Sequence, residues 1–251
     1  MQFHLVETTN ANFDATPCKI VVVGDSGCGK TSLLASYVQG KFPTTYEPTI
    51  FENQRAIVTN GQITLAADLW DTAGQEEYER LRRLSYSDAN IIIIAYSLDA
   101  PESLENINEV WAPESMTYAP NALIILTGLK SDKIHRVDSM RANAIAKNIG
   151  AVAHITCASI TMENVNELFD KVFENIVKIN QQQKQFEQSN NFNQNKRNST
   201  YYNNDKKSHK RNVSLSSITK PITKSKSKNN NSPYNDNSYS SRKSSRSCVI
   251  L

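Results

Sequence analysis

The sequence has no apolar stretch long enough to cross a bilayer. Its longest, Ile91 to Tyr96, falls far short of the roughly 20 residues a membrane helix needs. Met1 to Pro17 lacks the basic-then-apolar pattern of a secretory leader. Cysteine is scarce: the residues at 18, 28, 157 and 248 are too scattered for a disulfide framework or for zinc-ligand spacing. These absences argue against a secreted or membrane-spanning protein and fit a reducing compartment such as the cytosol.

Acidic side chains are nearly missing from one end. Residues 181–251 hold 14 basic and 3 acidic residues, whereas residues 1–180 hold 14 basic and 22 acidic, so the overall net charge of +3 conceals two unlike halves. The basic part also contains 13 Asn and 15 Ser, leaving too little apolar side chain to offset the entropy of ordering. The expected organisation is a flexible N-terminal arm over 1–17, a folded domain over 18–180 and a disordered, basic, Asn/Ser-rich tail over 181–251.

Within the folded part, a β-branched run from Lys19 to Val23 leads through a glycine-containing turn to a helical stretch, Lys30 to Gln39. Two strand-like segments, Thr49–Thr59 and Gln62–Trp70, flank Asn60-Gly61, a dipeptide suited to a hairpin turn. Ile91–Tyr96 and Leu123–Leu126 are continuous apolar runs, as in strands covered on both faces by helices. From Val165 through Leu168, Phe169, Val172, Phe173 and Ile176 to Val177, apolar residues recur at helical spacing. The pattern predicts an α/β fold with a doubly wound, mostly parallel six-stranded sheet and helices on both faces.

Between the first strand and first helix lies Gly24-Asp25-Ser26-Gly27-Cys28-Gly29-Lys30-Thr31, followed by Ser32, a match to GxxxxGK[ST]. Such a loop curls backbone N–H groups around phosphate oxygens, supplies a lysine charge, and places a hydroxyl to hold Mg²⁺. Downstream, Asp71-Thr72-Ala73-Gly74-Gln75 offers a second magnesium-holding group in Asp71. In the same segment Gly74 offers an amide for a γ-phosphate, and Gln75 can orient a water. In Leu129-Lys130-Ser131-Asp132 the Asp132 carboxylate suits the N1 and N2 donors of guanine, which adenine lacks. Together these motifs favour GTP over ATP.

The motif set over residues 18–178 resembles the small GTPases of the Ras superfamily, and within it the Rho family, in particular its fungal members. The Rho likeness rests on Tyr46-Glu47-Pro48-Thr49-Ile50-Phe51-Glu52-Asn53, on Leu81-Arg82 with Leu84-Ser85-Tyr86, and on Trp111 with Pro113-Glu114. The resemblance implies the small-GTPase fold and a GTP/GDP switch acting in signalling, in cell polarity or actin organisation. It implies Thr49 as a further magnesium ligand beside Thr31 and Asp71, and Gln75 as the catalytic residue. Phe42, Lys130, Asp132 and Ser159 would surround the guanine, and Tyr46 to Asn53 would read effectors. Exchange factors, activating proteins and a prenyltransferase are the other implied partners of a monomer.

Three departures qualify this. Ser26 stands where the Rho family has glycine, beside the space shared by Gln75 and an incoming arginine finger, so hydrolysis is expected to be slow and poorly stimulated. A protein that stays loaded with GTP and acts as a binding module is the alternative. Leu129 replaces an Asn or Thr that ties the base loop to the phosphate loop, and Cys157-Ala158-Ser159 replaces a Ser-Ala pair, so faster nucleotide release is expected. The helical insert usual in Rho proteins is missing.

The chain ends Cys248-Val249-Ile250-Leu251, a prenylation box whose final Leu favours geranylgeranyl. Arg242, Lys243 and Arg246 precede it, each worth about 1 kcal/mol near an anionic leaflet. The expected location is the cytoplasmic side of the cell membrane, with a cytosolic pool. Ser214, Ser244, Ser245 and Ser247 are candidate phosphorylation sites that would weaken this attraction. Nucleic acid is not an expected partner, because the tail has no interleaved stacking aromatics and the domain is acidic.

Overall fold

A computed structural model describes residues 1–6, 15–44 and 49–212, with side chains to residue 188. Tyr46, Glu47, Pro48, Cys248 and the tail serines lie outside the described residues. Among the described residues there are seven strands: β1 (His4–Leu5), β2 (Thr16–Gly24), β3 (Phe51–Thr59), β4 (Thr64–Thr72), β5 (Ile91–Ser97), β6 (Leu123–Leu129) and β7 (Ala153–Cys157). Their order in one sheet is β1-β3-β4-β2-β5-β6-β7. Pairing is parallel from β4 through β7 and antiparallel at β1/β3 and β3/β4.

Because successive strand residues point to opposite faces, the apolar runs of β2 and β5 feed two cores at once. On one face Ile20, Val22, Ile91 and Ile93 meet Leu33 and Tyr37 of α1 (Lys30–Gln39) and Phe169 and Phe173 of α6 (Val165–Asn212). Tyr37 stacks on Phe169 with ring centroids 3.7 Å apart. On the other face Val21, Val23, Ile92 and Ile94 are covered by Leu104 of α3 (Pro101–Asn106), Ile107 and Trp111 of the turn after it, and Ala142 and Ile145 of α5 (Ser139–Asn148). Each fully buried side chain of this size contributes about 1.5–3 kcal/mol. Two short helices, α2 (Glu79–Ser85) and α4 (Ala112–Tyr118), complete the fold.

The hairpin forms where Asn60-Gly61 predicts it, with a four-residue connection because Thr59 pairs with Thr64. Asn60 Oδ1 accepts from the N–H groups of Gln62 and Ile63 at 3.0 and 2.9 Å, and Gly61 has φ +86°. Between β6 and β7 there is the single helix α5, which accords with the missing insert.

Two boundaries differ from expectation. The arm over 1–17 is not uniformly loose. β1 pairs with the edge of β3, and the buried Phe3 packs on Phe173 at 5.3 Å, its N–H donating to Asp170 at 2.7 Å. The reason is local: an open strand edge carries unpaired backbone groups, and β1 satisfies part of this one, giving the sheet a seventh strand. At the other end the helix does not stop near 180 but continues to Asn212. Residues 165–212 contain neither Gly nor Pro, and their many Gln and Lys residues are good helix formers. Low apolar content alone therefore does not fix where this helix ends. The compact unit spans Met1–Phe192.

Candidate functional site

At the C-terminal end of β2 the backbone leaves the sheet, turns through residues 25–29 and enters α1. This turn forms one wall of a 320 Å³ cavity lined by Ser26, Gly27, Lys30, Thr31, Ser32, Phe42, Thr49, Gly74, Gln75 and Lys130, among others. A neighbouring 160 Å³ cavity is lined by Ser32, Phe42, Leu129, Lys130, Asp132 and Ser159. The sequence-predicted phosphate and base residues thus converge on two adjoining spaces.

Lys30 is 6% exposed, and its Nζ donates to the carbonyls of Gly24 and Asp25 at 2.8 and 2.9 Å. These bonds hold the ammonium group at the loop. Gly27 has φ +71°, and no atom lies within 4 Å of where its Cβ would be. Glycine at 27 therefore serves the left-handed backbone rather than a lack of room. Cys28 is buried, and burial pushes its thiol above its ordinary value, so it acts as packing.

Thr31 and Thr49 lie eighteen residues apart in sequence, yet their hydroxyl oxygens are 2.7 Å apart. Asp71 is 3% exposed, and neither carboxylate oxygen has a hydrogen-bond partner of good geometry. Burial raises its pKa, while Thr31, Lys30 and Thr49 pull it back down. A buried carboxylate without a partner is costly, and two hydroxyls beside it complete an oxygen-rich donor set. Hard divalent cations prefer such a set, so these residues fit Mg²⁺.

Gly74 is pressed against the phosphate loop. A Cβ there would lie 2.2 Å from Ser26 N, 2.5 Å from Asp25 C and 2.6 Å from Gly24 O. This contact sets Gln75 beside Ser26, both of them exposed and lining the larger cavity.

The base loop is tied to the 157–159 segment: Ser131 N–H donates to Cys157 O at 3.1 Å. Lys130, at φ +64°, pairs with Asp99 at 3.5 Å. A bond from the Ser97 hydroxyl, with Lys133 and Lys130 nearby, holds the Asp99 carboxyl at about 2. Leu129 is 1% exposed, and its Cδ1 lies 3.5 Å from where a Gly29 Cβ would be. An apolar contact therefore stands where a polar tie to the phosphate loop was expected to be lost. Leu129→Asn is expected to slow GDP release about tenfold if its amide reaches the loop, since one good hydrogen bond is worth about 1.4 kcal/mol. A fluorescent-nucleotide off-rate unchanged by the substitution would count against this.

Of the effector segment, Ile50 is 52% exposed, Glu52 and Asn53 are exposed on β3, and Phe51 meets Trp70 edge-on at 5.1 Å. Spacing did not disclose the partners of Asp25. Its carboxylate is occupied by Trp111 Nε1 at 2.6 Å and Asn106 Nδ2 at 2.8 Å. Asn106 and Trp111 lie five residues apart on one helical segment, but Asp25 is about eighty residues away in the chain, and no local pattern links it to them.

The Ras family profile matches residues 19–178. Among similar curated proteins, the GTP-binding protein RHO4 of Saccharomyces cerevisiae is 49% identical over 161 residues, covering 61% of this chain and 55% of that protein. A GTP-binding RHO-like protein of Candida albicans is 45% identical over 173 residues, covering 68% of this chain and 50% of that protein. The GTP-binding protein RHO2 of S. cerevisiae is 45% identical over 163 residues, covering 61% and 85% respectively. The match thus spans about half the length of the first two relatives.

Proposed function

This chain belongs to the Ras family as a fungal Rho-type small GTPase, and on that premise we propose that it is a membrane-anchored switch that binds and slowly hydrolyses GTP. The observation that carries the reading is the convergence of Lys30, Thr31, Thr49, Gly74 and Gln75 on one cavity, with the buried carboxylate of Asp71, which has no hydrogen-bond partner, close to Thr31 and Thr49.

Thr31, Thr49 and Asp71 would hold Mg²⁺, which neutralises charge on the β- and γ-phosphate oxygens when bound. Lys30 and the loop amides hold the phosphates, and Asp132 selects guanine. Gln75 orients the attacking water through its side-chain amide, and in-line attack on the γ-phosphorus releases phosphate and leaves GDP. Loss of the γ-phosphate frees Thr49 and Gly74, the two-state element that effectors would read through residues 46–53. Exchange and activating proteins are the corresponding regulators. Cys248, with the basic residues before it, would carry the lipid anchor on the cytoplasmic face, in the service of polarity or actin organisation.

A second reading is favoured by Ser26, whose exposed position beside Gln75 suits a GTP-loaded binding module that resists activation. Nucleotide content of the purified full chain, read by chromatography, separates the two. Guanine nucleotide at about one per chain, mainly GDP, with turnover lost in Gln75→Leu, is the expected result. Mainly GTP would favour the second reading, and adenine nucleotide would overturn both.

A further inference from the structure

The long helical segment beside the phosphate loop is not a plain α-helix. Between α3 and α4, residues Ile107–Trp111 form a π-turn, with the N–H of Ala112 bonded to the carbonyl of Ile107. Pro113, which has no N–H to give, follows directly. Such widened turns often mark functional sites. Here the turn carries Trp111, and the next helical turn carries Glu114.

These two residues reach different neighbours, Asp25 for Trp111 and Arg82 for Glu114. Trp111 Nε1 and Asn106 Nδ2 together hold both oxygens of Asp25, the residue before Ser26. Glu114 accepts two bonds from Arg82, from Nε at 2.7 Å and Nη2 at 3.0 Å, and a third from the Tyr86 hydroxyl at 2.8 Å. Arg82 in turn donates through Nη1 to the carbonyl oxygens of Ala73 at 2.9 Å and Gln75 at 3.3 Å. Its guanidinium carbon lies 4.8 Å from the centre of the Trp111 ring. The Arg82 and Glu114 side chains are only 3% and 8% exposed, so the pair is fixed in a low-dielectric setting where fully satisfied networks are rigid. One helical segment thus grips the backbone of Gln75 through Arg82 and the phosphate loop through Asp25.

We infer that Arg82, Glu114, Trp111 and Asp25 form one positioning unit that sets the Gln75 backbone against the Ser26 side of the phosphate loop for hydrolysis. This rests on the proposed role of Gln75 in orienting water. None of these four residues lines either cavity, so they act through the residues they hold: Asp25 through its place in the phosphate loop, Arg82 through the carbonyls of Ala73 and Gln75. Misplacing a reacting group by about 1 Å can cost on the order of a hundredfold in rate, whereas binding of the nucleotide depends on the loop amides, Lys30 and Asp132. The unit therefore governs hydrolysis more than affinity.

The test is a double-mutant cycle on the full chain preloaded with GTP. Trp111→Phe removes the indole N–H together with the five-membered ring that carries it, and keeps a phenyl ring beneath Arg82. Glu114→Gln removes the charge, and Tyr86→Phe, which deletes one hydroxyl, replaces it in the cycle if Glu114→Gln does not fold. Each of Trp111→Phe and Glu114→Gln is expected to slow single-turnover hydrolysis about tenfold with GDP release changed less than about twofold, and the double variant is expected to be no slower than the worse single one. Tyr86→Phe is expected to show the same non-additivity at smaller amplitude. Additive slowing, unchanged hydrolysis, or GDP release accelerated as much as hydrolysis is slowed would overturn the inference. A Gln75→Leu control separates the two levels: if it leaves hydrolysis unchanged, the reading of Gln75 fails, and if it alone slows hydrolysis, only the positioning unit fails.

Discussion

Changing Ser26 to glycine is expected to raise activator-stimulated hydrolysis of GTP about a hundredfold over the unsubstituted chain. An arginine finger is worth roughly 10³–10⁵ in rate in related GTPases, and it must share the space beside the attacking water with the Gln75 amide. Ser26 and Gln75 line the same cavity, and the Ser26 backbone nitrogen lies directly under Gly74, where a Cβ would stand 2.2 Å away. A hydroxymethyl group at 26 therefore occupies the approach to Gln75, while the intrinsic rate, which needs no finger, should change far less. The measurement is single-turnover hydrolysis with and without the catalytic domain of a Rho-directed activating protein. Stimulation in Ser26→Gly no greater than in the natural sequence would show that the left-handed Gly27 already moves the loop enough to admit the finger.

Gly74→Ala is expected to lower hydrolysis about a hundredfold while leaving GDP bound. The added methyl would stand 2.2 Å from Ser26 N, 2.5 Å from Asp25 C and 2.6 Å from Gly24 O. All three are backbone atoms of a loop whose carbonyls at 24 and 25 also hold Lys30, so the loop cannot yield and the 73–75 segment must lift instead. That displaces Gln75 by more than the roughly 1 Å that costs on the order of a hundredfold in rate. The base cavity, lined by Leu129, Lys130, Asp132 and Ser159, does not include Gly74, which is why GDP should be retained. Hydrolysis within about threefold of the unsubstituted chain would mean that the close approach of Gly74 is dispensable.

Local pattern disclosed a large part of this molecule. The helix at Lys30–Gln39 and the strand at Ile91 were read within a residue of where they stand, because an uninterrupted apolar run between turn signals permits few alternatives. The hairpin followed from Asn60-Gly61, since only those side chains and backbone angles close such a turn cheaply. The phosphate loop was legible because its glycines, lysine and hydroxyl are adjacent in the chain. Reading failed at the edges. Phe3 gave no periodic signal, as its burial depends on Phe173 of α6. The length of α6 was missed because composition measures the capacity for a core, whereas a helix without Gly or Pro can persist with little apolar content.

By itself the sequence determined the doubly wound sheet, the phosphate-loop motif and the residue types proposed here to meet phosphate, guanine and a hard cation, since each motif is encoded by neighbours a few positions apart. Tertiary structure alone decided that Thr31 and Thr49 touch, that Asp71 is buried without a partner beside them, and that Arg82 and Trp111 link Gln75 to Asp25. Those relations join residues from seven to more than eighty positions apart on separate elements, and only the packing of β2, β4 and the helix after β5 brings them together.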